Sequence, residues 1–354
     1  MRILNVADFN WITGAERRSA RISLFDICRK FTLAATRADH LVVEFSDRAV
    51  ARTAAPFRLR AFGVGAANRR FLQVVDELRP DLILLHFADH ITNGSLTEAR
   101  RLAPGVTVAD INIDPIGTDK NRRRLALRSG VADALFVTTA EPGLGRYVGP
   151  RGFAAFLPNP VDPSIETGRA FETDVPDFDV LLPVRGDAPR PVGDENLTPS
   201  AALHRLRVAV PGVRLSAPGA DGQAAADGHR YLEALGSARM GWALSRANDQ
   251  PLYASDRMAH MFGWGLVGLL DRRPGFDRFY APDEAGFYGD MDELSRLIGI
   301  LLADDPLARE TAHKGWEKTW RLFHSSRVLG YVLAQIFDDG GAKDCQWPCE
   351  RWRS

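Results

Sequence analysis

The stretch from Arg239 to Leu294 constrains the fold more than any other. A strand-like run ends in Ser245-Arg246-Ala247-Asn248, a helix follows from Ser255, Gly263 and Gly265 break it, and the apolar run Leu266 to Leu270 comes next. That order is a β-α-β unit, so its strands are parallel and helices must cover the sheet. Ser255 or Asp256 can accept hydrogen bonds from the N–H groups of the first helical turn. The helix start then shares the strand ends with Arg246. An anion placed there meets open backbone donors, the positive end of the helix dipole and the guanidinium groups of Arg246 and Arg257. These features make a seat for a diphosphate.

The same alternation runs through the rest of the second half. Phe178 to Pro183 reads as a strand, Arg185 to Pro199 as a loop rich in Gly, Asp and Pro, and Pro199 to Ala209 as a helix. The strand Val213 to Ser216, the turn Pro218 to Gly222 and the helix Gly228 to Gly236 follow. Asp292-Glu293-Leu294 opens a helix running to Leu302, and one long helix is expected from about Leu307 to Phe337. Beyond it the polar tail from Asp338 is expected to fray.

The first half opens with the strand Arg2 to Val6 and a loop to Gly14 that offers Asp8, Asn10 and Trp11. A helix around Ser19 to Thr36 and the strand Leu41 to Phe45 follow, after which Asp47 and Arg48 either cap a helix or line the binding crevice. Phe57 to Phe62 reads as a strand and Gly63 to Asn68 as a tight turn into the helix Arg69 to Leu78. The glycines there do not make a dinucleotide fingerprint, because Asn68 stands at the third glycine and no acidic ribose partner follows. Pro80 to Leu85 is apolar on both faces, as a central parallel strand should be. It delivers His86, Asp89 and His90 to a strand end, where polar groups line the crevice of an α/β sheet. Either a His or an Asp can serve there as general base for an acceptor hydroxyl. Val106 to Ile111 leads to Asn112 and Asp114, which either orients the acceptor or caps the basic helix from Thr118. Strands at Ala134 to Thr139 and from Gly152 complete this half.

Ser-Arg-Ala-Asn, then Ser255-Asp256-Arg257-Met258, His260-Met261-Phe262-Gly263-Trp264-Gly265, a strand, and Phe287-Tyr288-Gly289-Asp290 resemble the C-terminal domain of GT-B glycosyltransferases. The pattern is most similar to the branch grouped with the spore-coat maturation protein CgeB. In that branch an Arg-x-x-Glu pair precedes a small-residue turn, and the Glu is expected to hold the donor ribose. Here Arg257 and the Gly265 turn match, and His260 stands at the Glu position. The resemblance covers about residues 45 to 337, with Leu157-Pro158-Asn159-Pro160-Val161-Asp162 resembling the interdomain crossover. It implies an α/β protein of GT-B fold, two doubly wound Rossmann-like domains facing across a cleft. Residues 1–168 would form the acceptor domain and 169–337 the donor domain, with the final helix packing back on the first and 338–354 a tail.

Composition narrows the partners. The formal net charge is zero and 45% of residues are hydrophobic, so nothing marks a nucleic-acid binder. Residues 1–168 carry 23 Arg and Lys against 18 Asp and Glu, and the remainder 22 against 27. The basic first half, with Lys120 to Arg124, either faces water or meets an anionic acceptor or membrane surface. No apolar run reaches about 18 residues and a strand begins at Arg2, so the expected location is cytoplasmic, peripheral at most to the inner membrane face. Three cysteines, Cys28, Cys345 and Cys349, suggest neither a disulfide framework nor a zinc site.

The resemblance and the site chemistry together imply sugar transfer from a nucleotide-diphosphate donor to an acceptor hydroxyl on a glycan, lipid-linked or protein acceptor. Donor binding falls to Arg246, Asn248, Ser255, Asp256, Arg257, His260 and Gly265. Acceptor binding falls to Asp8, Asn10 and His90, and catalysis to His86, Asp89 and Asp114. No cofactor or metal is expected, since guanidinium groups and a helix end can stabilise the leaving diphosphate. Two other readings stay open: a nucleotide-sugar epimerase or hydrolase, and a non-catalytic nucleotide-binding scaffold.

Overall fold

The computed structural model describes residues 1–9, 25–55, 59–338, 342 and 345–354, so the loop with Asn10, Trp11 and Gly14 lies outside the described residues. The chain forms two compact units, Met1–Leu157 with Ser325–Ser354, and Pro158–His324.

The first unit is built on a six-stranded sheet of β1 (Arg2–Ala7), β2 (Leu41–Ser46), β3 (Leu82–His86), β4 (Thr107–Asn112), β5 (Ala134–Val137) and β6 (Phe153–Phe156). The order is β2-β1-β3-β4-β5-β6 and every pair is parallel. Every residue of β3 is buried, which explains its unbroken apolar run. Helices α1 (Ile27–Arg37), α2 (Asp47–Ala54), α3 (Arg60–Leu78), α4 (Asn93–Leu102) and α5 (Asp119–Arg128) lie between the strands.

One expectation fails here. Residues 60–68, placed as the end of a strand and a turn, are the first half of α3, while Phe57 and Arg58 lie outside the described residues. Gly63 sits where α3 packs on α2, and a Cβ there would overlap the Ala51 carbonyl. Close helix crossing, not a turn, accounts for this glycine.

The second unit carries a five-stranded parallel sheet of β7 (Phe178–Leu181), β10 (Leu215–Ser216), β11 (Ala238–Trp242), β12 (Val267–Asp271) and β13 (Gly286–Tyr288), in the order β10-β7-β11-β12-β13. The expected Gly/Pro loop contains a hairpin, β8 (Arg190–Val192) paired with β9 (Glu195–Leu197), which turns at Gly193 with φ +57°. The helices are α6 (Pro199–Ala209), α7 (His229–Gly236), α8 (Asp256–Gly263), α9 (Met291–Ala303) and α10 (Asp305–Phe323). Trp242 and Tyr288 are fully buried at the centre of the core, and the indole donates to the Tyr288 hydroxyl at 2.8 Å.

The expected division near Gly168 falls instead between Leu157 and Pro158. The segment after Pro158 packs into the second unit: Gly168 lies on the Trp264 ring, and Glu166 and Val161 lie against Gly263. The single long C-terminal helix is two, α10 and α11 (Ser325–Phe337), broken at His324. Helix α11 belongs to the first unit and packs on α1. The tail does not fray throughout, since Trp352 pairs antiparallel with Ala154 of β6. Among the described residues, no helix is long and apolar enough to cross a membrane.

Candidate active site

In an open parallel sheet, ligands bind beyond the carboxyl ends of the strands where the strand order reverses. In the second unit that point lies between β7 and β11. Arg257, in the first turn of α8, fills it. Its Nη1 donates to the Pro183 carbonyl past β7 at 2.8 Å, its Nη2 to the Leu244 carbonyl past β11 at 3.3 Å, and its Nε to Ser255 Oγ at 3.2 Å. Ser255 therefore orients Arg257, and α8 begins without a side-chain cap.

Sequence reading missed Arg190. It is 5% exposed, its Nη1 donates to the same Leu244 carbonyl at 3.2 Å, and its buried Nε has no partner among the described residues. Burial, then the charges of Arg257 and Arg246, push its pKa down to about 10. Burial also lowers that of Arg257, with Arg246 adding like-charge repulsion against the favourable influence of Tyr231 and Tyr253. Three guanidinium groups thus share one field. Neither Arg190 nor Arg257 is paired with a carboxylate among the described residues. The only local hint of Arg190 is its position in a Gly/Pro-rich segment; its meeting with Leu244 is a long-range event.

Beside this group a small recess, with Asn248 and Asp271 among its lining residues, opens at the ends of β11, β12 and β13. Pro191, Ser245, Tyr253, Met258, Phe276 and Tyr288 are among its walls. It is mostly apolar, as small-molecule sites are.

The other expected donor residues fare differently. His260 does not offer its ring to a ligand: Nδ1 lies 2.5 Å from Glu166 Oε1 and Nε2 lies 3.5 Å from Asp256 Oδ2. The ring is 6% exposed, and both its nitrogens and the Asp256 carboxylate face this internal pair. Asn248 spends its amide on the Gly193 carbonyl at 2.9 Å and on Asp271 Oδ2 at 2.7 Å, which ties the β8–β9 hairpin to the end of β12. Gly265, at φ +80°, sits where the chain leaves α8 for the amino end of β12, and a Cβ there would strike Phe171. Its glycine answers a packing demand at the amino ends of the strands, whereas Arg257 lies at their carboxyl ends.

In the first unit the order reverses between β1 and β3. Asp8 follows β1 and Asp89 follows β3, and Arg48 in the first turn of α2 bridges them. Its Nη1 lies 3.2 Å from Asp8 Oδ2 and its Nη2 3.4 Å from Asp89 Oδ2. Arg124 of α5 grips Asp89 with two bonds, Nε to Oδ1 at 2.8 Å and Nη2 to Oδ2 at 2.6 Å. Its Nη1 lies 3.6 Å from Asp114 Oδ2, and its guanidinium lies 4.5 Å from the centroid of the Phe87 ring. Three expected carboxylates are therefore joined by two arginines that sequence reading had not placed with them. Arg48 was left between cap and crevice, and Arg124 was hidden in a basic run that reads as a solvated face.

Asp114 does not cap α5. Thr118 does, accepting from Asn121 N, while a reciprocal amide pair of Asn112 and Asn121 at 2.7 and 3.1 Å shapes the turn. His90 lies 3.4 Å from the fully buried Asp47 and is partly covered. His86 is no accessible base. Its side chain turns under the helical layer, 5.6 Å from the Phe31 ring of α1, and burial lowers its pKa to about 3. Asn10 lies outside the described residues.

Residues 195–334 match the family model described as glycosyl transferase-like. No curated protein sequence matches the chain. Among solved structures, sucrose-phosphate synthase from Thermosynechococcus elongatus is similar at a TM-score of 0.61 and 15% identity, over 95% of this chain and 99% of that one. HepE from Anabaena, solved with UDP and glucose, is similar at 0.56 and 13%, over 95% and 99%. AviGT4, a glycosyltransferase involved in avilamycin A biosynthesis, gives 0.56 and 13%, over 94% and 96%. These similarities establish the fold as GT-B, built from two Rossmann-like units.

Proposed function

We propose that the protein is a glycosyltransferase that moves a sugar from a nucleotide-diphosphate donor to an acceptor hydroxyl. The observation that carries this reading is the meeting of Arg190 and Arg257 on the Leu244 carbonyl, two guanidinium groups without a carboxylate partner among the described residues, at a strand-order reversal. A buried cation without an anion is costly, and a diphosphate would supply two charges to that field. The glycosyl transferase-like match of residues 195–334 and the UDP and UDP-glucose complexes of HepE support the same ligand class.

In this reading the pocket beside Tyr253 and Tyr288 receives part of the donor. The arginines and the uncapped start of α8 stabilise charge building on the leaving diphosphate, so the transfer is metal-independent. The Asp8–Arg48–Asp89–Arg124–Asp114 chain orients the acceptor hydroxyls and Asp8 or Asp114, each about 40% exposed, is placed to accept a proton. His260 is not the ribose ligand, which separates this chain from the CgeB-like pattern while Arg257 keeps it near that branch. The setting would be surface-polysaccharide or glycoconjugate synthesis on the cytoplasmic side, with a glycan, lipid-linked or protein acceptor.

A thermal-shift series with UDP, GDP, ADP and their sugars, followed by product detection with mixed acceptors, tests the proposal. A rise in melting temperature with one nucleotide sugar and transfer that needs an acceptor are expected. Free sugar or an epimer formed without acceptor would instead indicate a hydrolase or epimerase, a shift with no product would leave a nucleotide-binding scaffold, and no shift with any nucleotide would overturn the donor assignment.

A further inference from the structure

The first unit carries a basic rim that the site above does not use. Between Asp47 and Asp76 the chain holds six arginines and no acidic residue. At the start of α3, within that stretch, apolar side chains stand in solvent: Leu59 is 54% exposed and Phe62 73%, the most exposed aromatic ring among the described residues. Arg69 lies on the same side of α3 as Phe62, two turns on, and its guanidinium reaches back to 3.6 Å from where a Cβ on Gly65 would sit. Helix α5 repeats the arrangement, with Lys120, Arg123 and Leu127 exposed along one side and Leu127 at 51%. The two helices meet in one rim. Asn68 of α3 donates to the His90 carbonyl at 2.7 Å and accepts from Thr92 N at 2.9 Å, and Asn93, which opens α4, donates to the Leu127 carbonyl at 2.7 Å. Residues 90–97 add no acidic group, and Asp119 of α5 is answered by Arg122. Among the described residues, Arg69, Lys120 and Arg123 have no carboxylate partner. Scattered exposed apolar residues are ordinary, but here they stand among cations that no described carboxylate neutralises.

We propose that this rim docks the protein on an anionic lipid surface, with Leu59, Phe62 and Leu127 entering the headgroup layer and Arg69, Lys120 and Arg123 meeting lipid phosphates. Charge complementarity fixes the sign of the occupant. The apolar residues favour a lipid surface over a soluble polyanion, which has no apolar layer to receive them. Arg48 of α2 and Arg124 of α5 join the rim to the Asp8–Arg48–Asp89–Arg124 chain. Under the proposed function, on which this one consequence rests, the docked rim brings a lipid-linked acceptor to those carboxylates.

The full chain is sedimented with vesicles of phosphatidylcholine alone or mixed with phosphatidylglycerol, at low and at high salt. Capture by the anionic vesicles alone, falling as salt rises, is expected. Each basic side chain near an anionic leaflet strengthens binding about fivefold, so Lys120→Gln with Arg123→Gln is expected to weaken capture about twenty-five-fold. Phe62→Ser is expected to weaken it about tenfold and Phe62→Trp to keep it, because the ring, not the charge, is what changes. All these positions are exposed, so the variants are expected to melt with the wild type. No capture by anionic vesicles, equal capture by both kinds, or capture that Phe62→Ser leaves unchanged would overturn the proposal. A dimer that Phe62→Ser dissolves would also overturn it, since a second copy would then cover the face. None of these readings needs sugar transfer, so docking and the proposed function fail separately.

Discussion

Arg190 and Arg257 donate to the same acceptor, the carbonyl of Leu244, at 3.2 and 3.3 Å. One arginine comes from a hairpin strand and the other from the first turn of a helix, and neither carries a carboxylate partner among the described residues. Like charges that share one acceptor without an anion are a cost to the fold, and under the proposed function they become an asset for binding a diphosphate.

Replacing Arg190 by Met is therefore expected to leave the unliganded protein as stable as before or more so, because a buried, repelled cation is exchanged for an apolar chain of similar reach. The same change is expected to remove most of the stabilisation by inorganic pyrophosphate. In the wild type that stabilisation is expected to be about 2.7 kcal/mol at a hundredfold excess over the dissociation constant. Paired melting curves with and without pyrophosphate read both effects, and equal shifts in the two proteins would contradict the assignment.

Asp89 holds Arg48 and Arg124 at once. Because its side chain is 39% exposed, Asp89→Asn is expected to cost only about 1 kcal/mol in chemical denaturation. If, as proposed, Asp8 and Asp114 act on the acceptor, transfer is expected to fall about a hundredfold, because those arginines hold them in place. A stability loss without an activity loss would make the chain of charges structural only.

Two buried groups of the first unit set opposite pH trends. Burial raises Asp110 from 3.8 to about 7, with Arg128 and Arg124 opposing, and burial lowers His86 from 6.5 to about 3. For Asp110 the folded pKa lies above the unfolded one, so its contribution is full below about pH 4 and is lost as pH rises towards 7. For His86 the folded pKa lies below, so its contribution is full above about pH 6.5 and is lost as pH falls towards 3. Between about pH 4 and 6.5 the two slopes oppose each other, each up to about 1.4 kcal/mol per pH unit. Asp110→Asn is expected to unmask the histidine slope, so that urea midpoints rise with pH across this window more steeply than in the wild type.

Gly63→Ala separates local from tertiary demands. Helix propensity alone favours Ala by about 1 kcal/mol. The added methyl group meets the Ala51 carbonyl of α2, and backbone cannot step aside as a side chain can. A net loss of about 1–3 kcal/mol is expected by urea unfolding, and a gain would show that the two helices separate freely.

Much of the fold was legible because the signals were periodic and local. The apolar run Leu82 to Leu85, the strand Leu266 to Leu270 and the helix start at Ser255 each declare themselves within a few residues, and together they dictate parallel sheets covered by helices. The sequence likewise placed Asp8, Asp89 and Asp114 at strand ends and Arg257 at a helix start. What those groups touch was decided by the tertiary structure. Arg257 finds Pro183 across 74 positions and Arg190 finds Leu244 across 54. His260, aligned with a ligand position, turns to Glu166 instead, and Gly63, read as a turn, serves a helix crossing. Hydrophobic period is a property of neighbours along the chain, whereas the partner of a charge or the space beside a Cα exists only once distant segments have packed.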